Sequence, residues 1–551
     1  MIRTRLKEII DTVFSSGIEK GCWADAAKDV YTIEKPKFDG QGDFSTNLAL
    51  IVAGQEKKKP REVAQVFVDL LGDCPLADKI EIAGPGFVNF FIKKSVWQEV
   101  LPLVCQGGDG FGPSNVGKGK KVLVEFVSAN PTGPLSIGHG RQAVLGDAIA
   151  RLLEATGHDV TREYYYNDAG RQMRVLAESL RSRYLELLGE AFEFPEDGYQ
   201  GEYIYDIARD LQAEVGDSLK DEPAAEPFQK KAEAAIFDDI NGTLKRMDIH
   251  FDNYFNEHTL YDDGHIDDVV AKLREKGLVY DDEGAVWFKT TEFGMEQDRV
   301  IIKSTGEPTY RLPDIAYHRE KFKRGFEWMV NIFGADHIAT VPDVMAGVKA
   351  LGYDESLITV VLHQFVTLLR DGKQVKMSTR KATFITVDEL LNEVGADVVR
   401  FFFLMRKADS QLEFDLDLAK QQSQENPVYY VQYGHARLAS ILRQAPEKGV
   451  QRGAVEDADL TLLVEAEEMA LLQDMAGFPE LIRAAALDLS PHRIIFYLQE
   501  LAGKFHSYYN KHRVISDDLQ LSIARLWLVA SLKVVFHNGL SLIGVAAPDS
   551  M

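Results

Sequence analysis

Cysteine is scarce in this chain. Three in 551 residues, Cys22, Cys74 and Cys105, leave one unpaired in any disulfide scheme and have no metal-ligand spacing. That argues against a disulfide framework and a structural metal, and a reducing compartment suits all three as core or incidental residues. Long hydrophobic runs are missing as well. No stretch of 18 or more apolar residues occurs, so no membrane span and no membrane partner are expected. The opening segment MIRTRLKEIIDTVFSSGIEK mixes charges with apolar residues at helical spacing, unlike a signal peptide, and the expected location is the cytoplasm. Positive charge is in deficit. Lys plus Arg number 62 against 85 Asp plus Glu, a net of −23. A surface of that sign repels polyanions, so any RNA partner must meet local basic patches.

What is present centres on Lys120–Gly157. Val122 to Val127 is an apolar, β-branched run fit for a buried parallel strand, and Val144, Ala148, Ile149 and Leu152 fall at helical spacing before Gly157. Between them lie Asn130-Pro-Thr-Gly-Pro134 and Ser136-Ile-Gly-His-Gly140. Gly138 and Gly140 let backbone approach a ligand, the helix start offers unpaired N–H groups to a phosphate, and His139 adds a donor.

The length suits about three or four domains. Residues 1 to about 110 read as helix followed by β. Gly40-Gln-Gly-Asp-Phe-Ser-Thr-Asn47 caps a helix from Leu48 that runs toward Lys57, Lys58, Lys59 and Arg61, a cluster equally readable as a solvated loop. Lys79–Ile92 predicts two strands joined at Gly84-Pro-Gly86, and Gly107–Gly119 is glycine-rich enough to be a linker.

From Lys120 strand and helix alternate, as in a doubly wound α/β sheet. Val160–Gly170 gives a strand ending in Asn167 and Asp168, placed for a ligand and equally natural as a turn. About 171–250 is charged and helical and reads as an insertion. Gly284–Phe288, Trp328–Phe333 and Leu357–His363 are further strand candidates, and Tyr310 and Asp314 stand four apart near a helix start. A basic loop, Asp371-Gly-Lys-Gln-Val-Lys-Met-Ser-Thr-Arg-Lys381, precedes a capping box at Thr386-Val-Asp-Glu389. Such a loop is either surface decoration or a clamp on polyphosphate. Near the end, Ile494, Tyr497, Leu498, Leu501, Phe505 and Tyr508 share one helical face and imply a helical bundle; Arg437, Arg443, Lys504, Lys511, His512 and Arg513 are candidate RNA contacts or simply solvated.

Ser136-Ile-Gly-His139 resembles the HIGH motif, and Lys376-Met-Ser-Thr-Arg380 the KMSKS motif, of class I aminoacyl-tRNA synthetases. Ser128-Ala-Asn-Pro-Thr-Gly-Pro134, Tyr166-Asn-Asp-Ala-Gly170, Tyr310 with Asp314, and Asn426-Pro-Val-Tyr-Tyr-Val-Gln-Tyr433 look like the arginyl-tRNA synthetases of bacterial type. The resemblance covers nearly the whole chain. It implies an N-terminal α+β domain contacting tRNA at 1–110, a Rossmann-like catalytic domain at 111–425, and an all-α anticodon-binding bundle at 426–551. It also implies ATP as substrate with Mg²⁺, L-arginine and tRNA-Arg as partners, and a monomer. His139 and Lys376 become the catalytic pair. Ser136, Gly138, Gly140, Met377 and Ser378 join them in binding ATP. Ser128, Asn130, Glu257, Tyr310 and Asp314 bind arginine.

Two positions depart from the family pattern, Ser136 at the first histidine of HIGH and Thr379 at the second lysine of KMSKS. A non-catalytic tRNA-binding relative and another adenylate-forming enzyme are the competing readings. Retention of His139, Lys376, Tyr310 and Asp314 argues against the first, and the flanking units argue against the second.

Overall fold

The computed structural model describes all residues except 26–29, 39, 169 and 376–384. Strands Lys121–Glu125 (β1), Asp159–Tyr166 (β2), Asn253–Asn256 (β3), Trp328–Gly334 (β4) and Ile358–His363 (β5) form one parallel sheet in the order β3-β2-β1-β4-β5. The strand order reverses direction between β1 and β4. In open α/β sheets the ligand crevice opens at that point, beyond the carboxyl ends of the strands. Val122, Leu123 and Val124 are fully buried, as a central parallel strand covered on both faces requires.

Helix Ile137–Ala155 (α1) joins β1 to β2, and its buried residues lie all round it. Gly146 makes this possible, because the place of its missing Cβ is filled by the Phe126 ring. The charged stretch read as an insertion is the crossover from β2 to its neighbour β3, built of helices Arg171–Leu188, Glu202–Val215 and Glu226–Arg246. Between β3 and β4 the chain forms a small antiparallel sheet from Val279–Asp282, Ala285–Phe288 and Arg299–Ile302, then helix Arg311–Lys323 (α2).

The N-terminal sheet is antiparallel, and its two longest strands, Ala77–Ala83 and Phe87–Ile92, meet at the Gly84-Pro-Gly86 turn. Asn47 stands at the N-cap of helix Leu48–Glu56, but its side chain accepts the Thr32 N–H at 2.7 Å instead of capping. At the other end, helices Pro427–Glu447, Ala466–Leu487, His492–Lys511 and Leu519–Leu542 form a bundle. The last is long and apolar enough to cross a membrane by length and composition, and it is packed mostly inside the protein. The glycine-rich stretch near residue 110 is pressed on this bundle: Asn538 donates to the carbonyls of Gly108 and Phe111, and Phe478 and Ile482 occupy the space beside Gly112.

One buried guanidinium ties these parts together. Arg400, on helix Ala396–Leu404, donates to Asp147 of α1 at 2.5 Å, to the Met247 carbonyl at the end of the crossover at 2.7 Å and to the Ile543 carbonyl near the C-terminus at 3.0 Å. Gly544 has no side chain because the guanidinium fills that space. Arg400→Met should leave Asp147 short of its buried partner and cost about 3–5 kcal/mol. A urea unfolding curve should show the midpoint falling accordingly.

Candidate active site

The loop from Phe126 to Ser136 leaves β1 at the crevice and delivers the chain to the start of α1. Ser136 caps that helix: its Oγ accepts the His139 N–H and its own N–H donates to His139 Nδ1, both at 3.4 Å. With Nδ1 accepting, the ring proton sits on Nε2, leaving a neutral donor. Burial lowers the His139 pKa, against a smaller opposing pull from Asp336 just beyond β4. His363, at the end of β5, is pushed down to about 4, by burial first and then by the nearby Arg141 cation. Arg141 is itself buried and donates to the carbonyls of Gln364, Lys407 and Ser410 at 2.6, 3.0 and 3.0 Å. It thereby fixes the loop after β5 to α1.

The two glycines of this motif differ. A Cβ on Gly138 would meet only Ser136 Oγ, at 3.7 Å, whereas one on Gly140 would come within 2.7 Å of Val387 and 3.1 Å of Phe403. Gly138 leaves its surroundings open, and Gly140 lets α1 pack on the helices after the basic loop. Lys376, Met377 and Ser378 lie outside the described residues. The segment that follows them is held at the site. Thr386 forms an isolated antiparallel bridge with Ser136, the Val387 N–H donates to the Leu135 carbonyl at 2.9 Å, and Thr386 and Glu389 form the expected capping box.

Acidic groups gather on the other side of the crevice. Val127 and Ser128 both have positive φ, 66° and 44°, a conformation unfavourable for a β-branched residue and of the kind that clusters at functional sites. The turn brings Ser128 Oγ to the Tyr165 N–H at 3.0 Å, while the Asn130 amide donates to Gln172 at 2.6 Å. Glu257, one residue past β3, accepts from the Tyr261 hydroxyl at 3.4 Å, and burial raises its pKa. Asp314, in the first turn of α2, is raised to about 7 by burial and by the charges of Glu125 and Glu257, with Lys321 opposing. Glu257 and Asp314 therefore share one pocket. Tyr310 does not line its interior. It stands at the rim, 56% exposed, with the Arg311 guanidinium 4.8 Å from its ring centre.

The Tyr165 hydroxyl faces the Glu257 carboxylate, and one buried oxygen here, Asp168 Oδ1, lacks a hydrogen-bond partner among the described residues, while the other oxygen of Asp168 meets His258 Nδ1 at 2.6 Å. Such an orphan in a native site calls for a ligand or water. Beside it a cavity of about 850 Å³ opens between the crossover helices, lined by Tyr166, Asp168, Arg174, Gln229 and Glu233 among others. Sequence reading placed Asp168 near the ligand but missed Glu125, Tyr165 and His363. All three sit at strand ends, where register and strand order, not local pattern, bring them to the crevice.

In the C-terminal bundle, Lys504 is paired with Asp474 and Glu500, and Lys511 and His512 with Glu467. Those three side chains already meet acids within the bundle. Arg437 lies 4.6 and 4.8 Å from the ring centres of Tyr433 and Tyr509.

Gly140→Ala should cost roughly 1–3 kcal/mol through overpacking, while Gly138→Ala, with open space around it, should cost less. Thermal melts of the two variants compare them directly.

Three family models match along the chain: an arginyl-tRNA synthetase N-terminal domain at 1–92, a class I (R) tRNA synthetase catalytic domain at 107–401 and a DALR anticodon-binding domain at 431–551. The arginine–tRNA ligase of Desulfotalea psychrophila is 65% identical over the full length of both chains. That of Citrifermentans bemidjiense is 48% identical over 99% of this chain and all of its own. The arginyl-tRNA synthetase of Thermus thermophilus superposes over the whole of both chains with a TM-score of 0.76 at 24% identity, a likeness of fold. With the HIGH-type loop, the anchored segment at Thr386 and the acidic groups at one crevice, and relatives of that identity along its entire length, the chain belongs to the class I arginyl-tRNA synthetases.

Proposed function

We propose that this crevice joins arginine to ATP and then to tRNA, with ATP held on one of its sides and arginine on the other. The chain is an ATP-dependent arginine–tRNA ligase. An oxygen of the arginine carboxylate attacks the α-phosphorus of ATP, pyrophosphate leaves, and arginyl-adenylate forms. A ribose hydroxyl at the 3′ end of tRNA-Arg then attacks the arginyl carbonyl, and AMP leaves. Neither step needs a covalent bond to the protein, so the work is alignment and charge stabilisation.

His139 contributes a neutral Nε2–H toward the phosphate that gains charge, its tautomer held by the Ser136 backbone. Gly138 lets the nucleotide approach backbone, and Ser136 and Gly140 hold the loop's shape. Lys376, with Met377 and Ser378, supplies the cationic side of the phosphate site. Mg²⁺ arrives with ATP; it takes oxygen ligands, most of them phosphate and water, and Asp336 is the carboxylate beside His139 that could add one.

On the acidic side, Ser128 and Asn130 face the amino-acid backbone, and Glu257 and Asp314 the guanidinium, with Tyr310 closing the rim. A guanidinium presents a planar fork of donors, and paired carboxylates are its complement. A substrate without that fork would leave buried carboxylates unpaired, which gives selectivity without a separate editing step. The observation that carries this reading is Asp314 lying in the field of Glu125 and Glu257, all at the ends of neighbouring elements, with an unpartnered oxygen of Asp168 close to Glu257. The DALR bundle and the N-terminal domain take the tRNA, and the protein works as a cytoplasmic monomer.

Asp314→Asn should raise the arginine KM by a hundredfold or thereabouts, roughly 3 kcal/mol, and leave the ATP KM nearly unchanged. Pyrophosphate exchange measured against each substrate in turn checks this, and equal effects on both would refute the assignment. Arginine binds the ionised form of Asp314, whose pKa in the empty site is about 7. The arginine Kd should therefore be flat above that pH and weaken by up to tenfold per pH unit below it. A pH series by calorimetry reads this out.

A further inference from the structure

Beneath the acidic pocket lies a chain of buried polar groups that the reaction does not itself use. Lys321, on the inward face of α2, is fully buried, and its ammonium donates to Glu125 Oε2 of β1 at 2.5 Å and to Asn331 Oδ1 of β4 at 2.8 Å. It also lies 4.1 Å from the centre of the Tyr317 ring. Asn331 Nδ2 donates to His318 Nε2 at 2.7 Å, and His318 Nδ1 donates to the Asp314 carbonyl at 2.7 Å. Asn331 and His318 are also buried. The relay runs from β1 through β4 back to the turn of α2 that carries Asp314.

Burying an ammonium and a carboxylate costs several kcal/mol each, and replacing such a pair by apolar side chains is often neutral or stabilising. Stability alone is thus a weak reason for Lys321. Charge balance supplies a better one. Glu125, Glu257 and Asp314 would place three negative charges in one pocket, and Lys321 opposes that charge at Asp314. The remaining two charges match the guanidinium and the ammonium of free arginine.

We propose that Lys321 is a positioning residue for amino-acid selection, holding Glu125 and the first turn of α2 in register and trimming the pocket's charge to that of arginine's two cations. The proposal rests on the assignment of this pocket to arginine. The groups that face Asp314 and its surroundings are Glu125 from β1, Glu163 and Tyr165 from β2, Glu257 and Tyr261 after β3, and Tyr317, His318, Lys321 and Arg324 from α2 and its end. Glu163 is already neutralised by Arg324, at 2.5 Å, and accepts the Tyr317 hydroxyl at 2.6 Å. Among the described residues, Lys321 is therefore the buried cation left to act on the pocket.

The test is the arginine Kd of the full-length protein, measured by calorimetry from pH 5.5 to 9 for the wild type and for the Lys321→Met, Glu125→Gln, double and Asp314→Asn variants. Loss of the cation should move the midpoint of the pH dependence upward by about one unit or more, so that arginine binding at neutral pH weakens by about fivefold or more with ATP affinity unchanged. Glu125→Gln alone should move it downward, and the double variant should return it toward the wild-type position. A merely structural lysine would weaken binding at every pH without moving the midpoint, and that result would overturn the proposal. If Lys321→Met does not fold, the signs of Glu125→Gln and of the double variant still decide it. If Asp314→Asn leaves arginine affinity intact, the pocket assignment fails and the proposal with it. If that variant weakens binding while the others leave the midpoint unmoved, the proposal alone fails.

Discussion

The buried pairing of Arg400 with Asp147 is the constraint on which the remaining architecture depends. It fixes α1, whose first turn is the phosphate-facing loop, to the end of the crossover and to the last residues of the chain. A guanidinium suits this position because its planar donors meet a carboxylate and two carbonyls at once, so its desolvation is offset within one site. Arg151 and Arg162 approach the same Asp147 from outside. The catalytic helix is thus held at its middle by charge and at its start by packing around Gly140. Its tip presents groups in fixed positions without being part of the anchor.

The crevice itself is built on a contrast of electrostatics. At the start of α1, burial keeps His139 and His363 neutral, and the cation of Arg141 reinforces this at His363. Across the crevice, carboxylates are crowded until one of them titrates near neutrality. One side thus presents neutral donors and the other an excess of carboxylates. On the acidic side the protein spends stability to hold groups that solvent would otherwise satisfy, and the unpartnered Asp168 oxygen marks where that occurs.

Much of this was legible in the sequence, for reasons that can be located. The apolar run at β1 and the capping box at Thr386 are local signals, and both form as local physics dictates. The strand candidate ending at His363 followed from composition in the same way, and those expected to end at Asp168 and Phe333 end within two residues, at Tyr166 and Gly334. What sequence could not give was adjacency. The helical stretch after Tyr166 looked like an insertion and is the link between neighbouring strands, because the order β3-β2-β1 is a property of pairing and not of any window of residues. Lys504, Lys511 and His512 read as candidate RNA contacts or solvated groups, and each meets an acid from another helix. Tyr310 and Asp314 stand four apart, a spacing that could put them on one face; the helix turns Asp314 inward and leaves Tyr310 at the rim, since the tyrosine stands at the cap, before the regular turn begins.

Ser136 stands where the family motif has a histidine, yet its backbone N–H does what the site needs there, fixing which nitrogen of His139 carries the proton. A main-chain group is indifferent to the side chain mounted on it. The first motif position can therefore drift through many residue types over evolutionary time without disturbing the protonation geometry of its partner. Proline alone, which has no N–H to give, is barred from that drift.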